Sequence, residues 1–203
     1  MIRSFSFILL GYFLGSLPWG YIIFRYMKHD DIRNYGSGNI GATNVGRFLG
    51  KKWAVIVASM DMFKGGVAIL LAMSFGTRDP LMISLIGLAG VCGHNFPLWL
   101  GFKGGKGVST TFGVIIFFYP PWSFVVGILG GIVWLCFLKI TQYVSLASLI
   151  SLFSIPLFFL IIGSPFQYSL TSLLLAILSL CRHQQNIRRI LTGTEVKIGQ
   201  KKE

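Results

Sequence analysis

The sequence has few acidic residues, and none lies between residue 80 and residue 194. A pair of carboxylates that shares general acid and base roles therefore has almost no residues to draw on over more than half of the chain. We expect the chemistry to depend on basic and neutral polar side chains instead. The six acidic residues are Asp30, Asp31, Asp61, Asp79, Glu195 and Glu203.

Cysteine is also scarce, and its spacing excludes two kinds of site. The three cysteines, Cys92, Cys136 and Cys181, are odd in number and form no CxxC pair. A disulfide framework needs paired cysteines, and a zinc site needs clustered ligands. We therefore expect neither, and we expect no other metal and no cofactor.

Charged residues of either sign make up only 12% of the 203 residues, whereas 54% are hydrophobic and the mean hydropathy is +0.72. A disordered chain has the opposite balance, and a soluble domain of this size carries about twice as much charge. The composition predicts an all-α integral membrane protein that forms a single polytopic domain over 1–203.

Seven apolar runs are candidate transmembrane helices. The first run continues well beyond any small-residue cleavage site, so we interpret it as a retained span rather than a signal peptide. The fourth is short, and the Pro120–Pro121 pair that follows it is either a turn between two spans or a kink in one helix over 108–138. The predicted spans are about 4–27, 53–75, 80–100, 108–119, 121–138, 143–162 and 165–181.

The basic residues favour seven spans. With seven, 15 of the 18 Lys and Arg residues fall on one side and only Arg3 and Arg78 on the other, with Lys64 inside a span. The positive-inside rule then places the basic side in the cytoplasm, so that the N-terminus is outside and the C-terminus is cytoplasmic. One helix over 108–138 would put the basic tail from Arg182 onward outside, and we reject it for that reason.

A basic excess is typical of proteins that bind nucleic acid, an anionic membrane surface or an anionic ligand. Here the bases lie in short loops between apolar runs rather than on one soluble face, so we expect no nucleic-acid partner. Three cytoplasmic segments, 36–47, 94–107 and 183–197, combine these bases with glycine and polar residues. We call them the first, second and third motif segments.

The first motif segment, GSGNIGATNVGR, contains the pattern GxGxxG but lacks the preceding strand that a dinucleotide-binding loop requires. Closely spaced glycines still allow backbone N–H groups to converge on an anion, and Arg47 adds a guanidinium suited to phosphate. A flexible turn with a solvated arginine explains the pattern equally well. The other candidate ligands are Ser37, Gly38, Asn39, Thr43 and Asn44.

The second motif segment, HNFPLWLGFKGGKG, is not a Walker P-loop, because Leu100 and Gly107 occupy positions that require Gly and then Ser or Thr. Gly104, Gly105 and Gly107 nevertheless flank Lys106 at the start of an apolar helix, which is typical of an anion site. The plain alternative is a lysine that extends to the membrane interface.

The third motif segment begins directly after the last span. His183 and Asn186 recur at helical spacing, and Arg189 lies close to the same face, where it is a candidate substrate ligand. An amphipathic helix that only meets anionic lipid is the alternative. We interpret Glu195, a lone carboxylate among these bases, as a structural brace that pairs with one of them.

The second predicted span contains two ionisable residues, Asp61 and Lys64. Such groups are costly inside a membrane and are functional candidates by default. At a spacing of three residues they face each other on one side of a helix. We favour the simpler interpretation, a structural pair in which each neutralises the other.

Taken together, these segments resemble the bacterial acyl-phosphate:glycerol-3-phosphate acyltransferase family. The matching elements occur in the family's order and cover both halves of the chain. They are GSGNIGATNVGR followed by Leu49-Gly50-Lys51, Asp61 with Lys64-Gly65, HNFPLWLGFKGGKG, and His183, Asn186 and Gly193-Thr194-Glu195.

The resemblance implies transfer of a fatty acyl group from acyl phosphate to the 1-hydroxyl of glycerol 3-phosphate, which gives lysophosphatidic acid for phospholipid synthesis at the bacterial cytoplasmic membrane. The implied partners are these two substrates and membrane lipid. The resemblance further implies that Lys51 helps to hold the glycerol phosphate and that Gly104, Gly105 and Gly107 cradle the acyl phosphate. The residues it implies at the reacting centre are Ser37, Arg47, Lys106, His183 and Asn186.

Two alternatives stay open at this point. No Asp follows His29, His94 or His183 five positions on, so the signature of soluble acyltransferases is absent, and the proton acceptor is either His183 or the phosphate of the acceptor substrate. An organic-phosphate or other anion transporter is the second reading of seven spans with a basic face. The lack of an internal repeat and of polar motifs near the midplane counts against it.

Overall fold

The computed structural model describes residues 2–200, with side chains from Phe5 onward, as an all-helical bundle. The charge of Arg3 and the last residues of the basic tail, Lys201 and Lys202, lie outside the described side chains. Two short 3-10 turns, Ile32–Asn34 and Leu98–Leu100, accompany the α-helices. The α-helices are α1 (Ile2–Gly15), α2 (Trp19–Lys28), α3 (Ala42–Leu49), α4 (Lys51–Ser74), α5 (Pro80–Asn95), α6 (Val108–Phe118), α7 (Trp122–Thr141), α8 (Val144–Ile161), α9 (Phe166–Arg182) and α10 (Gln184–Leu191).

The first predicted span, 4–27, is two helices rather than one. α1 ends at Gly15 and α2 begins at Trp19 because Pro18 lacks the N–H that would continue the helical ladder. At this break the carbonyl of Leu17 accepts a hydrogen bond from Nζ of Lys64 at 2.6 Å. A side chain from another helix thus supports the interrupted backbone.

Two other boundaries also follow from proline. α6 ends at Phe118 and α7 begins at Trp122, with the cis Pro120–Pro121 peptide between them, so one continuous helix over 108–138 is wrong. α5 ends at Asn95, five residues before the predicted end of its span, because the residue before Pro97 disfavours helical backbone.

Within residues 2–200, five helical segments are long and apolar enough to cross a bilayer by length and composition. The helices α6 and α9 are apolar but have only 11 and 17 residues. At a rise of about 1.5 Å per residue, α6 covers roughly 17 Å, well short of a hydrocarbon core of about 30 Å. The five longer segments are Phe5–Lys28, Lys51–Ser74, Pro80–Leu100, Trp122–Thr141 and Val144–Ile161.

The helices pack closely where glycine faces a neighbouring backbone. α1 lies against α4 and α5, α4 against α6, and α8 between α7 and α9. A Cβ on Gly15 would lie 1.9 Å from the carbonyl oxygen of Gly90, and a Cβ on Gly113 would lie 1.8 Å from that of Met62. These contacts exclude any side chain, as expected where van der Waals packing holds helices together in lipid.

The apolar side chains divide between an interior core and an outer surface. In the core, the ring of Tyr168 stacks on that of Phe118 with centroids 5.0 Å apart. A second cluster, which includes Phe24, Ile32 and Val45, joins the first motif segment to α2. Outward-facing residues such as Ile128 of α7, which is 63% exposed, form the surface expected of a protein surrounded by lipid.

A buried ion pair joins three helices. Asp61 Oδ1 and Lys64 Nζ of α4 are 2.7 Å apart, and each residue is only 4% exposed. His94 of α5 places its Nδ1 at 3.6 Å from the same carboxylate oxygen. Since Lys64 also reaches Leu17 at the α1–α2 break, this pair connects α1, α4 and α5.

Lys64→Met should lower the free energy of unfolding by about 3–5 kcal/mol, because it leaves the buried Asp61 carboxylate without its cation. Thermal unfolding of the purified protein in detergent measures this change. The double variant Asp61→Leu/Lys64→Met removes both charges and should cost less than the single change. An equal or larger loss in the double variant would contradict the ion pair as the source of the effect.

Candidate active site

The first motif segment is organised around the buried side chain of Asn44. Its Oδ1 accepts a hydrogen bond from the N–H of Ser37 at 3.0 Å, and its Nδ2 donates to the carbonyls of Tyr35 and Asn39 at 2.9 Å each. The Oδ1 of Asn39 in turn accepts from the N–H of Gly41 at 2.9 Å. Both asparagine side chains therefore bind the loop backbone, so they shape the loop that carries the other candidate ligands.

Ser37 lies in the loop of this segment, and Arg47 lies in the helix that follows. Ser37 is half-buried and lies between Gly36 and Gly38, whose φ angles of 58° and 68° suit glycine. Arg47 is in the last turn of α3, and its guanidinium lies within electrostatic range of Glu195 and Arg189. The first and third motif segments are thus brought together.

The second motif segment is held against the end of α5 by its own backbone. The N–H of Gly104 donates to the carbonyl of Asn95 at 3.2 Å, and the N–H of Gly105 donates to that of His94 at 3.1 Å. A Cβ on Gly105 would lie 2.0 Å from Nε2 of His94, so only glycine fits there. These two N–H groups are already used inside the protein, which differs from the expectation that they would converge on an anion.

The glycine loop of Gly104, Gly105 and Gly107 leads directly into α6. Gly107 precedes α6 with a φ of 79°, a left-handed conformation that suits glycine. The N–H groups in the first turn of a helix have no intrahelical acceptor and carry the positive end of the helix dipole. Lys106 comes directly before Gly107, so a cation adjoins these donors.

Lys106 is half-buried, and its Nζ donates a hydrogen bond to Oδ1 of Asn186. Burial is the main cause that lowers the pKa of Lys106 to about 8; Glu195 opposes this shift, and the charges of Arg189, Arg47 and Arg182 add to it. Lys106 is therefore a cation at neutral pH that loses its charge just above the physiological range.

Arg182, the last residue of α9, holds the other side of the glycine loop. Its Nε donates to the carbonyl of Gly105 at 3.2 Å, and its Nη2 donates to that of Gly104 at 3.1 Å. In the sequence, Arg182 is recognisable only as one charge of the basic tail. No local pattern could have revealed this role, because its partners are backbone carbonyls of a distant segment.

His183 is buried at the junction of α9 and α10, with Nδ1 at 2.8 Å from the carbonyl oxygen of Ser179. A carbonyl oxygen only accepts, so Nδ1 carries the proton of the neutral ring and Nε2 is the basic nitrogen. Burial and the nearby Lys106 charge lower the pKa of His183 to about 4. The imidazole is therefore neutral at pH 7 and a weak base.

Glu195 lies at the centre of the hydrogen-bond network. Its Oε1 accepts from Nδ2 of Asn186 at 2.5 Å and from the hydroxyl of Ser145 at 2.9 Å, and its Oε2 accepts from Nε of Arg189 at 2.6 Å. Burial opposes ionisation of Glu195, but these three hydrogen bonds outweigh it and hold its pKa below the usual value. The network thus runs from Lys106 through Asn186 and Glu195 to Arg189.

Some predicted residues lie apart from this network, and one member of it was missed. Lys51 and Thr43 are exposed, and within residues 5–200 no hydrogen bond or ion pair joins either side chain to Glu195 or Lys106. Ser145 belongs to the network through its hydrogen bond to Glu195. It lies in the first turn of α8, and in the sequence it is indistinguishable from other serines of an apolar span.

The arrangement suits a phosphorylated ligand. Arg47, Lys106 and Arg189 approach one another from three separate segments, with Glu195 as their shared counter-charge. Permanently charged guanidinium groups and a helix N-terminus are the donors that bind phosphate best. The three motif segments therefore form one basic, glycine-lined site at one end of the bundle.

Comparison with known protein families and structures gives a consistent result. The family model described as glycerol-3-phosphate acyltransferase matches residues 5–193. A glycerol-3-phosphate acyltransferase of Parasynechococcus marenigrum (strain WH8102) is 41% identical over 99% of this chain and 92% of its own length. That of Thermotoga petrophila (strain ATCC BAA-488 / DSM 13995 / JCM 10881 / RKU-1) is 42% identical over 95% of each chain.

Solved structures show the same fold. The glycerol 3-phosphate form of PlsY (YgiH), an integral membrane glycerol 3-phosphate acyltransferase, matches with a TM-score of 0.90 and 39% identity over 97% of this chain and 96% of that one. Its lysophosphatidic acid form matches with a TM-score of 0.88 and 38% identity over the same shares. The predicted all-helical integral membrane fold and the predicted resemblance are both confirmed. This chain belongs to the glycerol-3-phosphate acyltransferase family.

Proposed function

We propose that this membrane enzyme transfers a fatty acyl group from acyl phosphate to the 1-hydroxyl of glycerol 3-phosphate. The hydroxyl oxygen bonds to the acyl carbon, the bond from that carbon to the phosphate oxygen breaks, and lysophosphatidic acid and inorganic phosphate leave. The observation that carries this proposal is the network from Lys106 through Asn186 and Glu195 to Arg189, with Arg47 beside it. Two phosphorylated reactants suit a site with several cations and a single carboxylate.

We assign the two substrate phosphates to different groups of residues. Gly107, the start of α6 and Lys106 bind the phosphate of the donor, because a helix N-terminus and a cation meet there. Arg47 and Ser37 hold the phosphate of glycerol 3-phosphate from the opposite segment. Further contacts come from Gly38, Thr43, Lys51 and Arg189, and His183 and Asn186 line the space between the two phosphates.

Orientation and charge neutralisation supply most of the rate enhancement in this proposal. Acyl phosphate is a mixed anhydride with a good leaving group, so its acyl carbon needs little activation. Holding the hydroxyl against it converts a bimolecular step into an effectively unimolecular one. The fixed cations around Lys106 then stabilise the charge that builds on the departing phosphate.

The acceptor's own phosphate takes the hydroxyl proton. A phosphate monoester has a second pKa of about 6, so it is a stronger base at neutral pH than an imidazole with a pKa of about 4. His183 then acts through the hydrogen-bonding capacity of its Nε2. His183 as general base is the rival assignment.

The acyltransferase reading is favoured over an anion transporter. The relatives and the solved structures are named for acyl transfer, and the solved forms contain glycerol 3-phosphate and lysophosphatidic acid. The polar segments of this chain also gather at one end of the bundle, whereas transporter sites lie near the bilayer midplane.

We place the enzyme in the bacterial cytoplasmic membrane with seven spans, the N-terminus outside and the motif segments in the cytoplasm. The basic residues concentrate at the end of the bundle that carries the motif segments, which is the positive-inside pattern. The short helices α6 and α9 complete the seven. A groove of about 500 Å³, lined mainly by apolar residues such as Leu14, Trp19, Met60 and Phe63, lies against α4.

Purified protein in detergent, given acyl phosphate and labelled glycerol 3-phosphate, should form labelled lysophosphatidic acid. Arg47→Ala and Lys106→Ala should each lower kcat/KM roughly ten- to hundredfold, because each removes charge-assisted contacts to phosphate. Arg78→Ala is the matched control, since Arg78 is exposed in the loop at the opposite end of α4. Near-normal kinetics in both site variants would overturn the assigned site.

The alkaline limb of the pH profile of kcat/KM should reflect the deprotonation of Lys106. Since its pKa is lowered to about 8, kcat/KM should fall as the pH rises through 8 and the ammonium becomes neutral. Lys106→Arg should keep activity above this limb if the cation is what matters. Rate measurements from pH 4 to pH 10 test both statements.

The acid limb of the same profile separates the two proton acceptors. His183→Gln should leave the acid limb near the second pKa of the substrate phosphate, at about 6. If the limb instead disappears while substrate binding stays intact, His183 is the base and the substrate-assisted route is wrong.

The topology is tested by labelling single cysteines in intact cells, starting from a variant without Cys92, Cys136 and Cys181. Arg78→Cys should react with a membrane-impermeant thiol reagent from outside. Lys103→Cys and Thr194→Cys should react only after the membrane is opened, because both lie at the motif-segment end. External labelling of either would overturn the orientation.

A further inference from the structure

We propose that Arg182 is a positioning residue that fixes the Gly104–Gly105 backbone and so sets where the ammonium of Lys106 lies in the site. The inference rests on the proposed role of Lys106 in binding phosphate. Arg182 itself acts through the loop rather than on the substrate.

The Gly104–Gly105 backbone is held from two sides at once. Its two N–H groups donate to the last carbonyls of α5, at 3.2 and 3.1 Å, and its two carbonyls accept from the guanidinium of Arg182, at 3.1 and 3.2 Å. All four polar groups of this dipeptide are therefore satisfied by hydrogen bonds inside the protein. A backbone held in this way has little freedom to shift toward α5 or toward α9.

The shape of the arginine side chain matters for this contact. A planar guanidinium presents donors in a fixed fork, whereas a lysine ammonium is a single point that cannot reach both carbonyls with the same geometry. The guanidinium also lies over the ring of Phe96, 5.3 Å from its centroid. The carbonyl of Phe96 accepts a hydrogen bond from the hydroxyl of Tyr12 at 2.9 Å, so α1 holds the backbone at Phe96.

The junction of α9 and α10 contacts both the backbone before Lys106 and the ammonium of Lys106. Arg182 binds the residues just before Lys106, and Asn186, four residues further on, binds the ammonium of Lys106 itself. The charged or titratable groups that face Lys106 are Glu195, Arg189, Arg47, Arg182 and the neutral His183. Without Arg182 the backbone just before Lys106 is free to shift, so that water reaches the ammonium even though buried Asn186 still accepts its hydrogen bond.

The test compares Arg182→Lys and Arg182→Ala with Arg188→Lys and Arg188→Ala. Arg188 is an exposed base of α10 outside the site and serves as the matched control. Both Arg182 variants should lower kcat/KM about tenfold, mainly through kcat, and the Arg188 variants should not. Both should also move the alkaline limb from about 8 upward toward the ordinary lysine value of 10.5, because Lys106 becomes hydrated.

Arg182→Lys separates positioning from charge. It keeps the positive charge, so a limb that moves in both variants reports the lost fork. A limb that moves only in Arg182→Ala shows that the charge alone acts, and this overturns the proposal. If Arg182→Lys raises the KM for one substrate and leaves the alkaline limb at its wild-type pH, Arg182 binds that substrate directly. This result also overturns the proposal.

A second readout needs no turnover. The rate at which Lys106 reacts with an amine-directed reagent is followed against pH by mass spectrometry, and it should titrate near pH 8 in the wild type and higher in both Arg182 variants. Failure of acyl transfer in the wild type with this titration intact would refute the proposed function and leave the positioning role standing. If the Arg182 variants do not stay folded, Gly105→Ala displaces the same backbone from the α5 side and should raise the Lys106 titration in the same way; an unchanged titration there overturns the proposal.

Discussion

The site depends on one carboxylate placed among several cations. Arg47, Lys106 and Arg189 converge from different parts of the chain, and their positive charges repel one another. Glu195 supplies the counter-charge, and its two oxygens share hydrogen bonds with Asn186, Arg189 and Ser145. A single acid can neutralise only part of the site, so the remaining positive charge stays available for phosphate.

The backbone around the site is as tightly organised as the side chains. Asn44 holds the first motif segment from inside, and Arg182 and the end of α5 hold the second from both sides. Such preorganised donors need no rearrangement when charge develops during a reaction. This fits acyl transfer from an activated donor, where orientation and electrostatics matter more than a strong protein base.

The membrane-embedded part of the fold supports this end of the bundle. Asp61, Lys64 and His94 connect the break between α1 and α2 to the end of α5, on which the glycine loop rests. Ionisable groups inside a membrane survive only when they are paired and hydrogen-bonded. Because His94 also accepts a hydrogen bond from Gly105, the packing of these helices helps to fix the backbone of the site.

The amino-acid sequence by itself determined the class of the protein, the apolar segments and the three motif segments, because composition, hydropathy and glycine spacing are local properties. It did not determine that the predicted span 4–27 forms two helices, since an apolar run that contains Pro18 is equally typical of a single kinked helix. Nor did it show that the N–H groups of Gly104 and Gly105 face inward, or that Ser145 and Arg182 belong to the site. Those features depend on contacts between segments up to 80 residues apart, such as Lys106 with Asn186, and only the packing of the helices brings such partners together.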